Sequence, residues 1–292
     1  MENLQYILPK GRKTVKNREF IGSDIETAII PNGVVAIGNE AFRHCNNLKT
    51  VILPESVVSI GEGAFAGCNS LVSVTLPKHL YELRDNVFCF CRSLKKITLP
   101  ENLEIIGRAA FKDSGIKEID QTVPLELIQM SAFENTPLKV VPQSRIIGHH
   151  AFYNCSNLKA LTITQIVKLI DQRAFSMCKS LESVIVEDGK EDLVLGAYAF
   201  SDSILLSEVS LINRVTHIGK GCFENTGLKR IYIPDSITAI QEYSFAYCQN
   251  LEKVIIPESV KEIKAFAFQH CPVKELYRPQ NINIEEGNDF II

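Results

Sequence analysis

The stretch that decides the fold is Ile-Gly-Glu-Gly-Ala-Phe-Ala-Gly-Cys-Asn-Ser-Leu at residues 60–71, followed by Val-Thr-Leu-Pro at residues 74–77. Its phenylalanine recurs along the chain, mostly at intervals of 22 or 23 residues. A fixed period of this length is the signature of a solenoid, in which each unit buries its apolar residues against its neighbours. The recurring phenylalanines are Phe20, Phe42, Phe65, Phe88, Phe111, Phe133, Phe152, Phe175, Phe200, Phe223, Phe245 and Phe268.

Cysteine fills one column of this repeat. Three positions after each recurring phenylalanine the residue is cysteine, serine or threonine. The column predicts a small, weakly polar side chain next to a backbone that it can hydrogen-bond. Disulfides or a metal site are the alternative, since adjacent strands lie ~4.8 Å apart. Because serine and threonine replace cysteine freely, we expect buried free thiols at Cys45, Cys68, Cys91, Cys155, Cys178, Cys248 and Cys271.

Each copy also contains a Leu-x-x-Val-x-Leu segment whose last apolar residues alternate with a period of two. This alternation predicts a half-buried strand, and the proline that often follows, as at Pro54, ends it. The glycine that often stands before Ala-Phe, as at Gly38 and Gly61, is expected to adopt a positive φ. The parallel strands are predicted near 25–30, 48–53, 71–76, 94–99, 116–120, 138–141, 158–163, 181–186, 206–211, 228–233, 251–256 and 273–277.

The period changes twice in the middle of the chain. Phe133 and Phe152 are only 19 residues apart, whereas Phe175 and Phe200 are 25 residues apart. The longer interval contains the polar hexapeptide Glu-Asp-Gly-Lys-Glu-Asp at residues 187–192. Insertions in solenoids map to loops on one rim, so we expect this hexapeptide to protrude.

The full pattern, Leu-x-x-Val-x-Ile-Pro-x-x-Val-x-x-Ile-Gly-x-x-Ala-Phe-x-x-Cys, is best represented by residues 48–68, 228–248 and 251–271. It resembles the BspA-like branch of the leucine-rich repeats over roughly residues 20–279. The resemblance implies a right-handed curved solenoid with a parallel β-sheet on its concave face, and a protein of the adhesion or protein-binding kind. We expect one leucine-rich repeat domain over 1–292, with degenerate terminal units at 1–24 and 279–292.

Composition limits the partner and the compartment. A net charge of -3 gives no bulk electrostatic attraction to nucleic acid or to an anionic membrane, and no apolar run approaches the ~18 residues of a membrane span. The first residues lack the basic and apolar regions of a secretory signal. We therefore expect a cytoplasmic protein for the chain as given, or a cell-surface protein if a leader has been removed.

Nothing in the sequence specifies a reaction. The histidines follow no repeat column, and no nucleophile elbow, phosphate-binding loop or zinc-protease motif is present. Cys89-Phe90-Cys91 has the wrong spacing for a zinc knuckle. We therefore expect a protein without catalytic residues, cofactor or metal.

The exposed strand positions are the remaining candidates. Lysine dominates the first outward position of the Leu-x-x-Val-x-Leu segments, and tyrosine occupies the third in two of the last units. The lysines either keep an open sheet soluble or bind an acidic partner. We favour a non-enzymatic scaffold that binds a protein or peptide on the concave face; a cell-surface adhesion or glycan-binding module is the alternative. The predicted binding residues are Lys49, Lys95, Lys117, Lys139, Lys159, Tyr232 and Tyr277.

Overall fold

The structure is a computed structural model that describes residues 5–9 and 11–289. The chain divides into two compact units, residues 1–144 and 145–292. Each unit contains six of the recurring phenylalanines and is a parallel β-solenoid of six turns, without a helix in the described residues. The predicted solenoid is therefore confirmed, while the prediction that the units act as one domain stays a prediction.

Each turn of the first unit contributes two short strands, which lie on different sides of the solenoid. The strands are β1 Gln5–Ile7, β2 Thr14–Val15, β3 Thr27–Ile29, β4 Ala36–Ile37, β5 Thr50–Ile52, β6 Ser59–Ile60, β7 Ser73–Thr75, β8 Glu82–Leu83, β9 Lys96–Thr98, β10 Ile105–Ile106, β11 Glu118–Asp120 and β12 Leu125–Ile128.

The second unit continues the same alternation. Its strands are β13 Ser144–Ile147, which begins at the unit boundary, β14 Ala160–Ile163, β15 Leu169–Ile170, β16 Ser183–Val186, β17 Leu193–Leu195, β18 Glu208–Ser210, β19 Val215–Ile218, β20 Arg230–Tyr232, β21 Ala239–Ile240, β22 Lys253–Ile255, β23 Glu262–Ile263, β24 Glu275–Tyr277 and β25 Asn283–Ile284.

We call the strands β1, β3, β5, β7, β9, β11, β14, β16, β18, β20, β22 and β24 the primary strands, and their outward side the primary face. Most of them arise from the Leu-x-x-Val-x-Leu segments, and the other strands are the secondary strands. Neighbouring primary strands that pair do so in parallel and in register, so that Val51 of β5 lies beside Val74 of β7. Hydrogen-bonded runs of primary strands are β1-β3-β5-β7 and β11-β9 in the first unit, and β14-β16-β18 and β20-β22-β24 in the second.

Eleven of the twelve predicted strands form, each shorter than predicted. The prediction over 138–141 is wrong, because that segment bends between two prolines, Pro137 and Pro142, within the shortest interval of the repeat. A single backbone bond, from the Lys139 N–H to the Lys117 carbonyl, keeps it beside the preceding turn. The secondary strands were not predicted, since most contain too few residues to show an alternating pattern.

The core of each unit is a stack of phenylalanine rings. Successive rings lie 5.0–5.7 Å apart in the first unit and 5.1–5.6 Å apart in the second, centroid to centroid. Every recurring phenylalanine from Phe42 to Phe268 has a fully buried ring. A turn of this length cannot bury its own ring, so the apolar contact that stabilises each turn is made with its neighbours.

The backbone around each recurring phenylalanine, from two residues before it to two after it, forms what we call the phenylalanine corner. Both end positions of every corner have a positive φ, near 55° at Glu40 and 58° at His44, and most of them are not glycine. In the corner around Phe42, the amides of Glu40, Phe42 and His44 donate to carbonyls of the next turn, each at 2.8 Å. The corners therefore form a third hydrogen-bonded ladder, beside the two sets of strands.

The prediction of a positive φ at Gly38 and Gly61 is wrong, because the left-handed residues lie in the corners instead. These glycines are needed for space. A Cβ on Gly61 would lie 2.5 Å from the backbone nitrogen of Asn39 in the preceding turn, closer than van der Waals contact permits. Gly107, Gly196 and Gly219 approach the preceding turn in the same way.

The cysteine column is buried and hydrogen-bonded as predicted. The Cys68 Sγ donates to the carbonyl of Phe42, 3.1 Å away in the preceding turn, and Cys91 donates to Phe65 in the same way. All nine cysteines lie within the described residues, and all are buried and free of disulfides. Burial raises the pKa of the Cys91 and Cys178 thiols far above its ordinary value, and that of Cys89 to about 11.

The end of the second unit is closed by side chains. In the last corner the Phe268 N–H donates to the Asn288 side-chain oxygen at 3.0 Å, and the His270 N–H donates to the Asp289 carboxylate at 2.8 Å. The Phe266 N–H donates to a backbone carbonyl at Glu286. The last residues thus replace the carbonyls that a further turn would supply.

We expect Phe65→Ala to lower the free energy of unfolding by ~3–5 kcal/mol, because it removes a ring that stacks between Phe42 and Phe88. Phe90→Ala is the matched control, since the Phe90 ring is 42% exposed in a neighbouring corner. Chemical denaturation measures both variants. Equal unfolding midpoints for Phe65→Ala and the parent would show that the stack does not stabilise the fold.

We expect the nine native thiols to react with a maleimide only after unfolding, because they are buried and the reagent cannot reach them. Thr98→Cys, at an exposed position of β9, is the positive control for the reagent and should be labelled at once. Labelling at pH 8 followed by mass spectrometry of the intact protein counts the modified sites. Disulfides among Cys45, Cys68 and Cys91 in a non-reducing preparation would contradict the prediction.

Candidate binding face

The two predicted tyrosines belong to one exposed row on the primary face of the second unit. Tyr232, Ile255 and Tyr277 are register partners in β20, β22 and β24. Tyr232 is 48% exposed and Tyr277 is 55% exposed, so neither ring contributes to the core. The Lys253 ammonium lies 5.3 Å from the centroid of the Tyr277 ring, within cation–π distance. The structure therefore brings both tyrosines together, with an aliphatic side chain between them.

The five predicted lysines are all exposed, but only three of them lie on consecutive turns of one unit. Lys95, Lys117 and Lys139 are linked by backbone bonds, from Lys117 to Lys95 at 2.8 Å and from Lys139 to Lys117 at 3.2 Å. Val72 separates Lys49 from this group, and Lys159 lies in the second unit beside Glu182. Four of the five stand directly before a primary strand, at the edge of the primary face. They are Lys49, Lys95, Lys117 and Lys159.

Part of the positive charge of these lysines is neutralised within the chain. Lys49 pairs with Glu26 at 2.8 Å, and Lys139 pairs with Glu118 at 3.3 Å. The Lys95 ammonium donates to the Arg92 carbonyl at 2.6 Å. Lys117 and Lys159 form no ion pair with any described residue. Exposed pairs of this kind contribute ~0–1 kcal/mol and are screened by salt, so the paired lysines can exchange partners.

A cleft interrupts the primary strands of the first unit between β7 and β9. On most other turns the residue before the strand donates to the turn behind it, as Val72 does to Lys49 at 2.9 Å. No described bond of this kind joins Lys95 to Val72. The cleft has a volume of about 750 Å³. Val74 in its wall is partly exposed, whereas the equivalent Val51 is buried, so the cleft reaches the core layer.

A second cleft interrupts the primary strands of the second unit between β18 and β20. The Glu252 N–H donates to the Lys229 carbonyl at 3.0 Å, but no described backbone bond joins Lys229 to Ser207 one turn earlier. This cleft has a volume of about 500 Å³. Val209 in its wall is partly exposed, whereas the equivalent Val254 is fully buried.

Both clefts open on the primary face while the phenylalanine corners of the same turns stay joined. The Phe88 N–H donates to Ala110, and the Phe223 N–H donates to Ser244, each at 2.8 Å. The clefts are therefore local separations of strands within an intact ladder of corners.

Arg214 is the buried charge that sequence reasoning missed. Its side chain is 6% exposed and donates to backbone carbonyls of the preceding two turns, at distances of 2.6–3.5 Å. Two of these carbonyls, at Glu187 and Glu191, belong to the inserted hexapeptide. Desolvation lowers the pKa of Arg214, although the guanidinium stays charged because its ordinary pKa is far above neutrality.

Arg214 therefore anchors the inserted loop to the solenoid. Two features of the sequence pointed to it without showing the contact. One is the hexapeptide one turn earlier, and the other is an arginine in a column that holds Ser56, Asn102 and Ser236 in other turns. The predicted protrusion of the loop is consistent with the exposure of most of its residues.

The described residues lack two other classes of site. They contain no group of three or more histidine, cysteine, aspartate or glutamate side chains that could hold a metal ion. They also contain no helix that is long and apolar enough to cross a membrane.

The family model of the BspA type leucine rich repeat region matches residues 13–139, 138–193 and 190–290. The chain belongs to the BspA-type leucine-rich repeat family. The match covers far more than half of the chain, and it agrees with the repeated corners and strands described above. No curated protein matches the sequence.

Several bacterial leucine-rich repeat structures share the fold. A leucine rich cell surface protein from Faecalibacterium prausnitzii is 24% identical with a TM-score of 0.54, over 97% of this chain and 87% of that protein. The pneumococcal vaccine antigen PcpA is 19% identical with a TM-score of 0.59, over 99% and 72%. A leucine-rich repeat protein from Eubacterium ventriosum is 16% identical with a TM-score of 0.53, over 98% and 87%. At these identities the similarity concerns the fold.

We expect Arg214→Met to lower the free energy of unfolding by about 3 kcal/mol, because buried carbonyls lose a charged donor. Hydrogen exchange at residues 187–192 should accelerate in the same variant. Arg230→Met is the matched control, since Arg230 is exposed in the same unit and forms no ion pair with a described residue. Unchanged exchange at 187–192 would show that Arg214 does not hold the loop.

Proposed function

We propose that this protein is a non-enzymatic interaction scaffold that binds a protein or peptide on its primary face, the face that the resemblance to the BspA-like repeats implies to be concave. The observation that supports this most is the row Tyr232, Ile255 and Tyr277. Large apolar side chains are costly to leave in water, and these contribute little to the core. Aromatic side chains are also enriched among the residues that dominate binding energy.

The lysines favour an acidic partner. Lys95, Lys117 and Lys139 place positive charge on three consecutive turns of the first unit, and Lys159 does so in the second. Lys49 adds a further ammonium, which is paired with Glu26 in the unbound chain. Exposed charges of this kind mainly accelerate association. The net charge of -3 argues against nucleic acid as the partner, and the described residues contain no cluster of side chains that could hold a metal ion.

The alternative function is adhesion at the cell surface, with a protein or glycan as the ligand. The name of the Faecalibacterium structure, a leucine rich cell surface protein, favours this location. The predicted cytoplasmic location receives no support from the neighbouring structures. Exposed tyrosines suit sugars as well as peptides, so the binding face would be the same in both functions. In either case we propose that residues 1–292 act as one repeat domain, because the sequence contains no linker at the unit boundary.

The test is to identify a partner by affinity capture from the source cell and then to measure its binding kinetics. We expect Lys95→Glu with Lys117→Glu to slow association and to flatten its dependence on salt, because the steering charge is lost. We expect Tyr232→Ala to accelerate dissociation roughly 10-fold or more, as for an anchor residue.

Variants of the inserted loop provide the control. Asp188→Ser with Asp192→Ser changes an exposed rim segment and should leave both rate constants unchanged. If the loop variant abolished binding while the lysine and tyrosine variants bound like the parent, the site would be the rim loop, and the proposed face would be wrong.

A further inference from the structure

The cleft between β18 and β20 is more than an irregularity of the sheet, because it places unsatisfied backbone groups, an apolar wall and unpaired cations together. We propose that this cleft binds an extended acidic peptide segment, with an apolar side chain directed toward Val209 and a carboxylate directed toward Lys229 and Arg230. The inference rests on the proposed function of the primary face and specifies where on that face, and by what chemistry, the partner is held.

The backbone of the cleft offers hydrogen bonds that the rest of the sheet uses internally. On the next turn the amides of Glu252 and Lys253 both donate to the Lys229 carbonyl, at 3.0 and 3.4 Å. The equivalent amides of Lys229 and Arg230 have no backbone acceptor among the described residues, because β18 does not pair with β20. An extended peptide is the ligand whose own carbonyls and amides match a free strand edge.

The walls of the cleft explain why an apolar side chain should enter it. Val209 is partly exposed there, although the inward residues of the two flanking strands, Val184 and Ile231, are each 1% exposed. Ile185 and Tyr232 stand on the two sides of the opening with about half of their surface exposed. The volume of about 500 Å³ accommodates a large side chain with part of its backbone.

The charges at the cleft favour an acidic segment. Lys229 and Arg230 form no ion pair with any described residue. Glu252 and Glu275 at the same opening are paired with Lys274 and Lys253, whereas Glu208 has no ion pair with a described residue, so two cations and one anion are left unpaired. In the cleft of the first unit, by contrast, Lys96 is paired with Asp120, and the unpaired Lys78 lies with two carboxylates, Glu55 and Glu101, that form no ion pair with a described residue. The charge complementarity therefore selects the cleft of the second unit.

The experiment uses a phage-displayed library of random 12-residue peptides, selected on the immobilised full chain. We expect the enriched peptides to combine an apolar residue with aspartate or glutamate. Ser210→Trp fills the opening from an exposed position of β18 and should weaken their binding at least 10-fold, and Arg230→Glu should do the same. Thr162→Trp is the matched control, because Thr162 is exposed on β14, which is fully paired with β16; its binding should not change.

The outcomes separate this inference from the proposed function. Enriched peptides that bind Ser210→Trp as well as the parent, but lose binding in Tyr277→Ala, would overturn the cleft and leave the primary face as the site. Peptides insensitive to all of these variants would overturn both, and so would a selection that enriches nothing on the parent chain.

Hydrogen exchange provides a readout in the unbound protein. We expect the amides of Lys229 and Arg230 to exchange faster than those of Glu252 and Lys253, because only the latter pair has backbone acceptors. An enriched peptide should slow the exchange of Lys229 and Arg230. Equal protection of the two pairs in the free protein would show that the cleft is closed in solution, and would overturn the proposal.

Discussion

Most phenylalanine corners direct three backbone amides toward the next turn, and these amides must find acceptors there. The end positions of the corner are left-handed, a conformation that costs an L-residue roughly 1–2 kcal/mol and that local preference does not favour. Bonds between turns therefore hold the corner in shape. Once the corners set the distance between turns, the phenylalanine rings stack and the cysteine thiols reach the carbonyls of the preceding turn. The core thus depends on the corner ladder, and a turn removed from its neighbours would lose both.

The columns of the repeat predicted the parts of the fold that depend on residue type. Apolar columns indicated which side chains are buried, so the sequence alone predicted that Phe65 and Cys68 lie in the core, as they do. The backbone geometry was not predictable in the same way, because residues as different as Glu40 and Tyr243 share the left-handed conformation. The prediction of a positive φ at the glycines was wrong for a related reason. At Gly61 the determining contact is with a residue of the preceding turn, and no local pattern encodes that contact.

The candidate site, too, could be predicted only in part. Exposure of Lys117 and Tyr232 followed from their places in the strand pattern, and the structure agrees. The partners of the charged residues did not follow, since Lys49 and Glu26 are 23 residues apart. The role of Arg214 and the missing backbone bonds beside β9 and β20 could not be predicted from the sequence either, because each arises from contacts between turns. What distinguishes individual turns from the rest of the solenoid is therefore concentrated where the repeat is broken.

The side chains that close the last corner have a further consequence. At the end of a solenoid, the terminal turn exposes the backbone donors and acceptors that would bond a further turn. Here the final donors of Phe268 and His270 are occupied by Asn288 and Asp289, so a second chain cannot add a turn to this corner. Addition of a further turn at this corner would first have to displace Asn288 and Asp289.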